Sequence, residues 1–221
     1  VIFLGITMRK EPEHKSARVF IDGQNLYHQA KEAFSYFYPN YDVLKLSQLV
    51  CRAKGFSLSG IHFYTGVPRP QDDELWSRFW NRKLSRISRI ARVFTPPIRY
   101  SMQTVTEKDG EGKAVEKKIL VGREKGVDIR IAIDVLKACR TNACNAVVIF
   151  SQDQDLVEAV KEAKAIAKSN DRWFKIVSAF PVSSRSSNSR GINQTDWYRI
   201  SREDYDKCLD THSYLEVFSR K

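Results

Sequence analysis

Two apolar runs in this chain stop on carboxylates. Arg18-Val19-Phe20-Ile21 ends at Asp22, and Ala146-Val147-Val148-Ile149-Phe150 ends at Ser151-Gln152-Asp153-Gln154-Asp155. A third acid, Asp128, follows the glycine turn of Glu124-Lys125-Gly126-Val127. Oxygen ligands of this kind, with no His or Cys among them, suit a hard divalent cation such as Mg²⁺ or Mn²⁺. Such a cation can turn water into a nucleophile and stabilise a phosphodiester transition state. Each acid also has a plainer reading. Aspartate after a strand is a common N-cap or turn residue. One of Asp153 and Asp155 is expected to cap the helix that follows, and Asp128 can serve a helix dipole and nothing more. Asp134, six residues past Asp128, falls well round the same helix and reads as structural.

A second group is basic. Arg78, Arg82, Arg86, Arg89 and Arg92 recur at spacings of 4, 4, 3 and 3, one stripe of a helix predicted from Asp72 to about Arg92. Trp76, Trp80, Leu84, Ile87, Ile90 and Phe94 take its other side and are expected to face a sheet. No acid occurs from Trp76 to Tyr100. A solvated helix face ordinarily mixes both signs, so an arginine-only stripe points to phosphate contact. Tyr64, Arg69 and Tyr100 can extend that surface as base-stacking or backbone-contacting groups. Tyr27, Tyr36 and Tyr38 read as core or surface aromatics, and the dispersed His14, His28, His62 and His212 as structural. The whole chain agrees with a polyanion partner: its 221 residues carry 37 Lys+Arg against 26 Asp+Glu, a formal charge of +11.

These groups need a frame to hold them. The run to Ile21 is a buried strand that turns at Asp22-Gly23 into a helix. Helix is predicted over Leu44 to Lys54, strand at Ile61 to Thr65, then the basic helix, and Val93-Phe94 with Ile98-Arg99-Tyr100 lead into a third strand. A projecting β-hairpin is expected at 101–118, around Lys108-Asp109-Gly110-Glu111-Gly112-Lys113. It is suited to gripping a substrate or the partner subunit of a homodimer, and its sequence decides neither. Helix at Val127 to Arg140, the apolar strand at Ala146 to Phe150, helix at Asp155 to Lys168, and strands at Phe174 to Ser178 and Trp197 to Ile200 complete the alternation. Ser183 to Arg190 reads as a disordered Ser/Arg-rich loop. Alternating strands and helices give one α/β domain, residues 16–221, with a mostly parallel sheet, after a flexible extension at 1–15. Ligands of such a sheet bind beyond the carboxyl ends of its strands, where Asp22 and the 151–155 segment should both lie.

Composition narrows the setting. Hydrophobic content of 42% provides a real core and excludes a disordered basic tail. No apolar stretch reaches the roughly 20 residues of a membrane span, and Val1 to Met8 lacks the basic flank and cleavage site of a signal peptide. Cys51, Cys139, Cys144 and Cys208 form no CxxC pair, so a reducing cytoplasm is expected rather than a disulfide framework or zinc site.

Taken in order, Val19-Phe20-Ile21-Asp22-Gly23-Gln24-Asn25-Leu26, the stretch Lys125 to Leu136, and Val147 to Leu156 resemble the NYN domain, the LabA-like branch of the PIN-like nuclease superfamily. The resemblance spans about residues 18 to 180 and implies a PIN-like Rossmannoid α/β/α sandwich that cleaves RNA with a metal. It implies that Asp22, Asp128, Asp153 and Asp155 form an acidic Mg²⁺ or Mn²⁺ site, with Asn25 an accessory polar contact. One departure is that glycines usually stand where this chain has Gln152 and Gln154, whose larger side chains would narrow the site or hydrogen-bond substrate. The expected function is thus a metal-dependent ribonuclease whose arginines hold the strand. The alternative is a catalytically inactive RNA- or nucleotide-binding regulator of the same fold, and a more distant one is a scaffold for an acidic protein. RNA rather than DNA rests on the resemblance, since phosphate contacts do not separate the two.

Overall fold

Apolar runs without alternation belong to strands covered on both faces, and here they form the middle of one sheet. The computed structural model describes residues 10–108 and 114–215. Its strands are β1 (Ser16–Asp22), β2 (Ser57–Tyr64), β3 (Arg92–Phe94), β4 (Arg99–Lys108), β5 (Ala114–Arg123), β6 (Ala146–Phe150), β7 (Lys175–Pro181) and β8 (Asp196–Ile200). Its helices are α1 (Gly23–Phe34), α2 (Val43–Ala53), α3 (Glu74–Ile87), α4 (Val127–Arg140), α5 (Val157–Ser169) and the short α6 (Arg202–Asp206), with a 3₁₀ turn at Gln154–Leu156.

Six strands form one parallel sheet in the order β3-β2-β1-β6-β7-β8. Helices α1, α2 and α3 bury residues such as Leu26, Leu46 and Phe79 against one face, and α4 and α5 bury Ile131, Val135 and Val160 against the other. This is an α/β three-layer sandwich, consistent with the PIN-like architecture. The chain runs outward from β1 to β3, then restarts beside β1 with β6 and runs the other way. The strand order therefore reverses between β1 and β6, where Ile21 is in register with Phe150. Loops leaving two such strands diverge to opposite faces and open a crevice between them.

β4 and β5 form a separate antiparallel ribbon between β3 and α4, with Tyr100 opposite Gly122. It is longer than the expected hairpin at 101–118, and its turn, 109–113, lies outside the described residues, as does 1–9 of the expected N-terminal extension.

Two expectations are corrected. The basic helix stops at Ile87 rather than near Arg92. Tight bonds from Arg89 N–H to Arg86 O and Ile90 N–H to Ile87 O close it, and Arg92–Phe94 is then drawn into parallel pairing with His62–Tyr64. Propensity gave no stop signal there; the open edge of β2 supplied one. The segment expected to be disordered, 183–190, is pinned: Ser183 Oγ donates to Ala33 O at 2.8 Å and Ser187 N–H to Glu32 Oε1 at 2.5 Å. The four cysteines are buried free thiols. Among the described residues no helix is long and apolar enough to cross a membrane.

Candidate functional site

Asp22 closes β1 and caps α1, its Oδ1 accepting the Asn25 N–H at 3.0 Å. The helix can begin this close to β2 because residue 23 is glycine: a Cβ there would sit 2.9 Å from both Phe63 Cζ and Tyr64 O. Only 4% of Asp22 is exposed. Burial lifts its carboxyl to about 8; the Asn25 N–H opposes the shift, and the charges of Glu124, Asp128 and Asp153 add to it.

Glu124 lines the same cleft, and nothing in the sequence marks it as a site residue. Its Oε2 accepts the backbone N–H of Gly66, beyond β2. A Cβ on residue 66 would lie 2.8 Å from that oxygen and 2.9 Å from Glu124 Cβ, so the contact depends on the glycine. Burial raises the Glu124 carboxyl to about 7, the Gly66 bond resists, and Asp128 pushes it further up. No local signal marks it, since its partner is 58 residues away.

Asp128 sits in the first turn of α4. Its carboxyl is raised by burial, then by the charges of Asp153 and Asp155. Asp153 caps the 3₁₀ turn, its Oδ1 accepting the Asp155 N–H at 2.9 Å, and it also lines the cleft. Asp22, Gln24, Asn25, His28, Gln29, Glu32, Glu124, Asp128 and Asp153 line a cavity of about 310 Å³. Three of the four predicted aspartates thus share one cleft. Asp155 is exposed and does not line it, although its charge is felt at Asp128.

Asn25 holds the cleft together. Its Oδ1 accepts the Gln152 N–H at 3.1 Å and a bond from Gln29 Nε2. Gln29 Oε1 is buried and has no hydrogen-bond partner among the described residues. Gln152 and Gln154 point away from the acids. Gln152 Nε2 donates to Asn188 O at 3.2 Å and Arg190 O at 2.8 Å, while Gln154 bonds Gly191 O at 3.1 Å and the Asn193 N–H at 3.2 Å. They fasten the 188–193 segment and do not narrow the cleft.

Asp134 is structural: its Oδ2 accepts from the Tyr64 hydroxyl at 3.0 Å and Arg130 Nε at 2.8 Å. Tyr64 is buried in that bond, which removes it from any nucleic-acid surface. The five arginines are exposed but do not form one helical stripe. Arg78, Arg82 and Arg86 lie on α3, Arg89 in the turn after it, and Arg92 on β3. Arg78 faces Glu74 at 3.6 Å, and Arg82 Nη1 donates to Tyr214 O at 2.9 Å. Arg86 and Arg89 border a second cavity beside the buried Lys83–Asp210 ion pair, 3.0 Å apart.

Among the described residues no group of three or more His, Cys, Asp or Glu side chains is arranged to hold a metal ion as it stands. The acids ring a cavity rather than meeting at a point.

A profile of the NYN domain matches residues 16–170. No curated protein matches the chain. Among solved structures, a protein of unknown function from Vibrio parahaemolyticus is similar in fold, with a TM-score of 0.51 and 18% identity over 89% of this chain and 99% of that one. Phosphofructokinase-2 from Escherichia coli aligns at a TM-score of 0.29 and 9% identity, over 76% of this chain and 54% of the enzyme.

Proposed function

The chain belongs to the NYN domain family, whose fold is that of PIN-like nucleases, and from that premise we propose that it is a divalent-metal-dependent ribonuclease of the LabA-like branch. One observation carries the reading. The cleft at the β1/β6 reversal is lined by Asp22, Glu32, Glu124, Asp128 and Asp153, and among the described residues no lysine or arginine lines it. Carboxylates whose pKa is raised first by burial and then by one another's charge favour a cation from solution.

The donor set fits Mg²⁺ or Mn²⁺. It is all oxygen, and the orphaned Gln29 Oε1 adds an uncharged acceptor at the same wall. A cavity of about 310 Å³ leaves room for an ion that keeps several waters and takes only one or two carboxylates directly. Asp22, Asp128 and Asp153 would hold it, and Asp155, outside the lining, would add its charge through Asp128. When bound, the ion supplies Lewis acidity toward the phosphate oxygens and lowers the pKa of water nearby.

The chain's own groups do the rest. Glu124, anchored through Oε2, takes the proton of the attacking water as the water oxygen bonds to phosphorus and the P–O bond to the leaving oxygen breaks, that oxygen drawing its proton from solvent; a carboxyl titrating at about 7 suits the task. Asn25 is a positioning residue that keeps the 151–155 segment against α1. Exposed Arg78, Arg82, Arg86, Arg89 and Arg92 hold RNA phosphates. Buried thiols suit a reducing cytoplasm.

The test is cleavage of end-labelled single-stranded RNA, beside DNA of the same sequence, with Mg²⁺ or Mn²⁺ and with EDTA. Loss of cutting in EDTA and in Asp22→Asn is expected; activity unchanged in both would end the assignment. The open arrangement of the acids favours, as second reading, a binder that no longer cuts. Metal-independent, salt-sensitive RNA binding with no product would establish it.

A further inference from the structure

A third cavity, about 260 Å³, opens next to the acidic cleft, and Gln24 and His28 line both. Its character is different. Its walls are mainly aromatic, with Tyr27 from α1, Trp76 and Trp80 from α3, and Tyr100 from the ribbon, and Lys31 and Asp73 line it as well. These rings are fixed by their surroundings. The Tyr27 hydroxyl donates to Phe37 O at 2.9 Å, and its ring lies 6.2 Å from that of Trp76 at 54°. Trp80 is packed in the core and forms a floor. Tyr100 is seated over Gly122, its cross-strand partner: a Cβ there would come within 2.8 Å of Tyr100 Cε1. The glycine lets the ring lie flat against the ribbon.

Fixed aromatic rings beside a phosphodiester-cleaving cleft have a specific use. A base in a single strand is free to leave its stack and insert between aromatic faces, whereas a duplex keeps its bases paired. We propose that the Tyr27–Trp76–Tyr100 recess takes a nucleobase of single-stranded RNA next to the phosphate held in the acidic cleft. The assignment rests on the nuclease reading and adds to it a substrate class, an unpaired strand with one base turned out. Gln24, shared by the two cavities, is at the junction where base and phosphate of one nucleotide would separate, and its amide can bond a base edge.

The recess is tested with the full chain in EDTA, which keeps the strand intact. A short labelled single-stranded RNA is titrated by anisotropy while tryptophan fluorescence is followed, and a strand with one abasic residue, a DNA strand and an RNA duplex of the same sequence serve as comparisons. Wild type should bind the single strand with tryptophan quenching. Tyr27→Ala and Tyr100→Ala should each bind it about 10-fold more weakly, the worth of one stacked base. Tyr100→Trp, which keeps a ring in place, should retain the affinity and keeps the test decisive if the alanine variant unfolds. The abasic strand should weaken wild type and weaken Tyr100→Ala no further. Equal binding of the DNA strand leaves the recess assigned to a base of either sugar and overturns its restriction to RNA. If wild type cuts RNA but Tyr27→Ala and Tyr100→Ala bind the single strand as tightly as wild type does, or if wild type prefers the duplex, the recess alone is overturned. Wild type that neither binds nor cuts overturns the nuclease reading and this assignment with it.

Discussion

The side-chain carbonyl of Asn25 accepts the N–H of Gln152 at 3.1 Å, joining two residues 127 positions apart. Asn25 lies in the first turn of α1 and Gln152 in the loop leaving β6, so one bond spans the reversal of the sheet. It holds Asp22, three residues before Asn25, and Asp153, one after Gln152, on facing walls.

Asn25→Ala should therefore lower turnover more than it weakens substrate binding. Losing a part-buried bond costs about 1–3 kcal/mol when the donor is left unpaired, and each kcal/mol lowers the melting midpoint by about 2–4 °C at this size. Thermal unfolding beside kcat and KM checks it. A variant with wild-type kcat would show that the loop needs no tether.

The buried carboxyls set a pH dependence with a definite sign. Asp22 titrates near 3.8 when unfolded and at about 8 in the fold, and Glu124 moves from 4.5 to about 7. As pH rises between these values the unfolded chain sheds protons that the folded chain keeps, so metal-free stability falls across that range and levels above about 8. Asp22→Asn removes the larger contribution. In EDTA it should match wild type in acid and exceed it at alkaline pH, and millimolar Mg²⁺ should restore wild type while leaving the variant unmoved. Denaturant midpoints measured across pH decide; parallel curves for the two proteins would contradict the assignment.

Gly66→Ala tests the anchor of Glu124. The added Cβ would meet Glu124 Oε2 at 2.8 Å and Ile98 Cγ1 at 2.9 Å. Overpacking of this order costs about 1–3 kcal/mol, and the glutamate must shift. A lowered melting midpoint together with a displaced acidic limb of the pH–rate profile is expected. Glu124→Gln, which keeps the acceptor to the Gly66 N–H, should stay folded and lose most of the rate.

What the sequence made legible was local or followed from topology. Apolar runs ending on Asp22 and Ser151 identify strands and their carboxyl ends, and the alternation of elements puts both ends at one edge. Glu124 stayed hidden because its anchor, Gly66, is distant in sequence. Gln152 and Gln154 are turned from the cleft by carbonyls of 188–191, which no motif announces. Lys83 shows the same limit inside the basic helix: it looks like one more surface cation, yet it is buried against Asp210, 127 residues later. Helix periodicity ran past Ile87 because it cannot see the edge of β2 that claims Arg92.

The arginines separate by what they already hold. Arg78 is exposed and faces Glu74 at 3.6 Å, a surface pair of little worth. Arg82 donates to the Tyr214 carbonyl at 2.9 Å, clasping the C-terminal segment that also receives Lys83 through Asp210. If both touch RNA phosphate, Arg78→Ala should weaken binding without changing the melting midpoint, and should reduce the slope of log affinity against log salt by about 0.7, the value for one single-strand phosphate contact. Arg82→Ala should also lower the midpoint, because the carbonyl loses a charged donor. Binding isotherms at several salt concentrations, read beside thermal unfolding, distinguish the two effects. An unchanged salt slope in Arg78→Ala would take α3 off the RNA path and leave its arginines to the packing of the C-terminal segment.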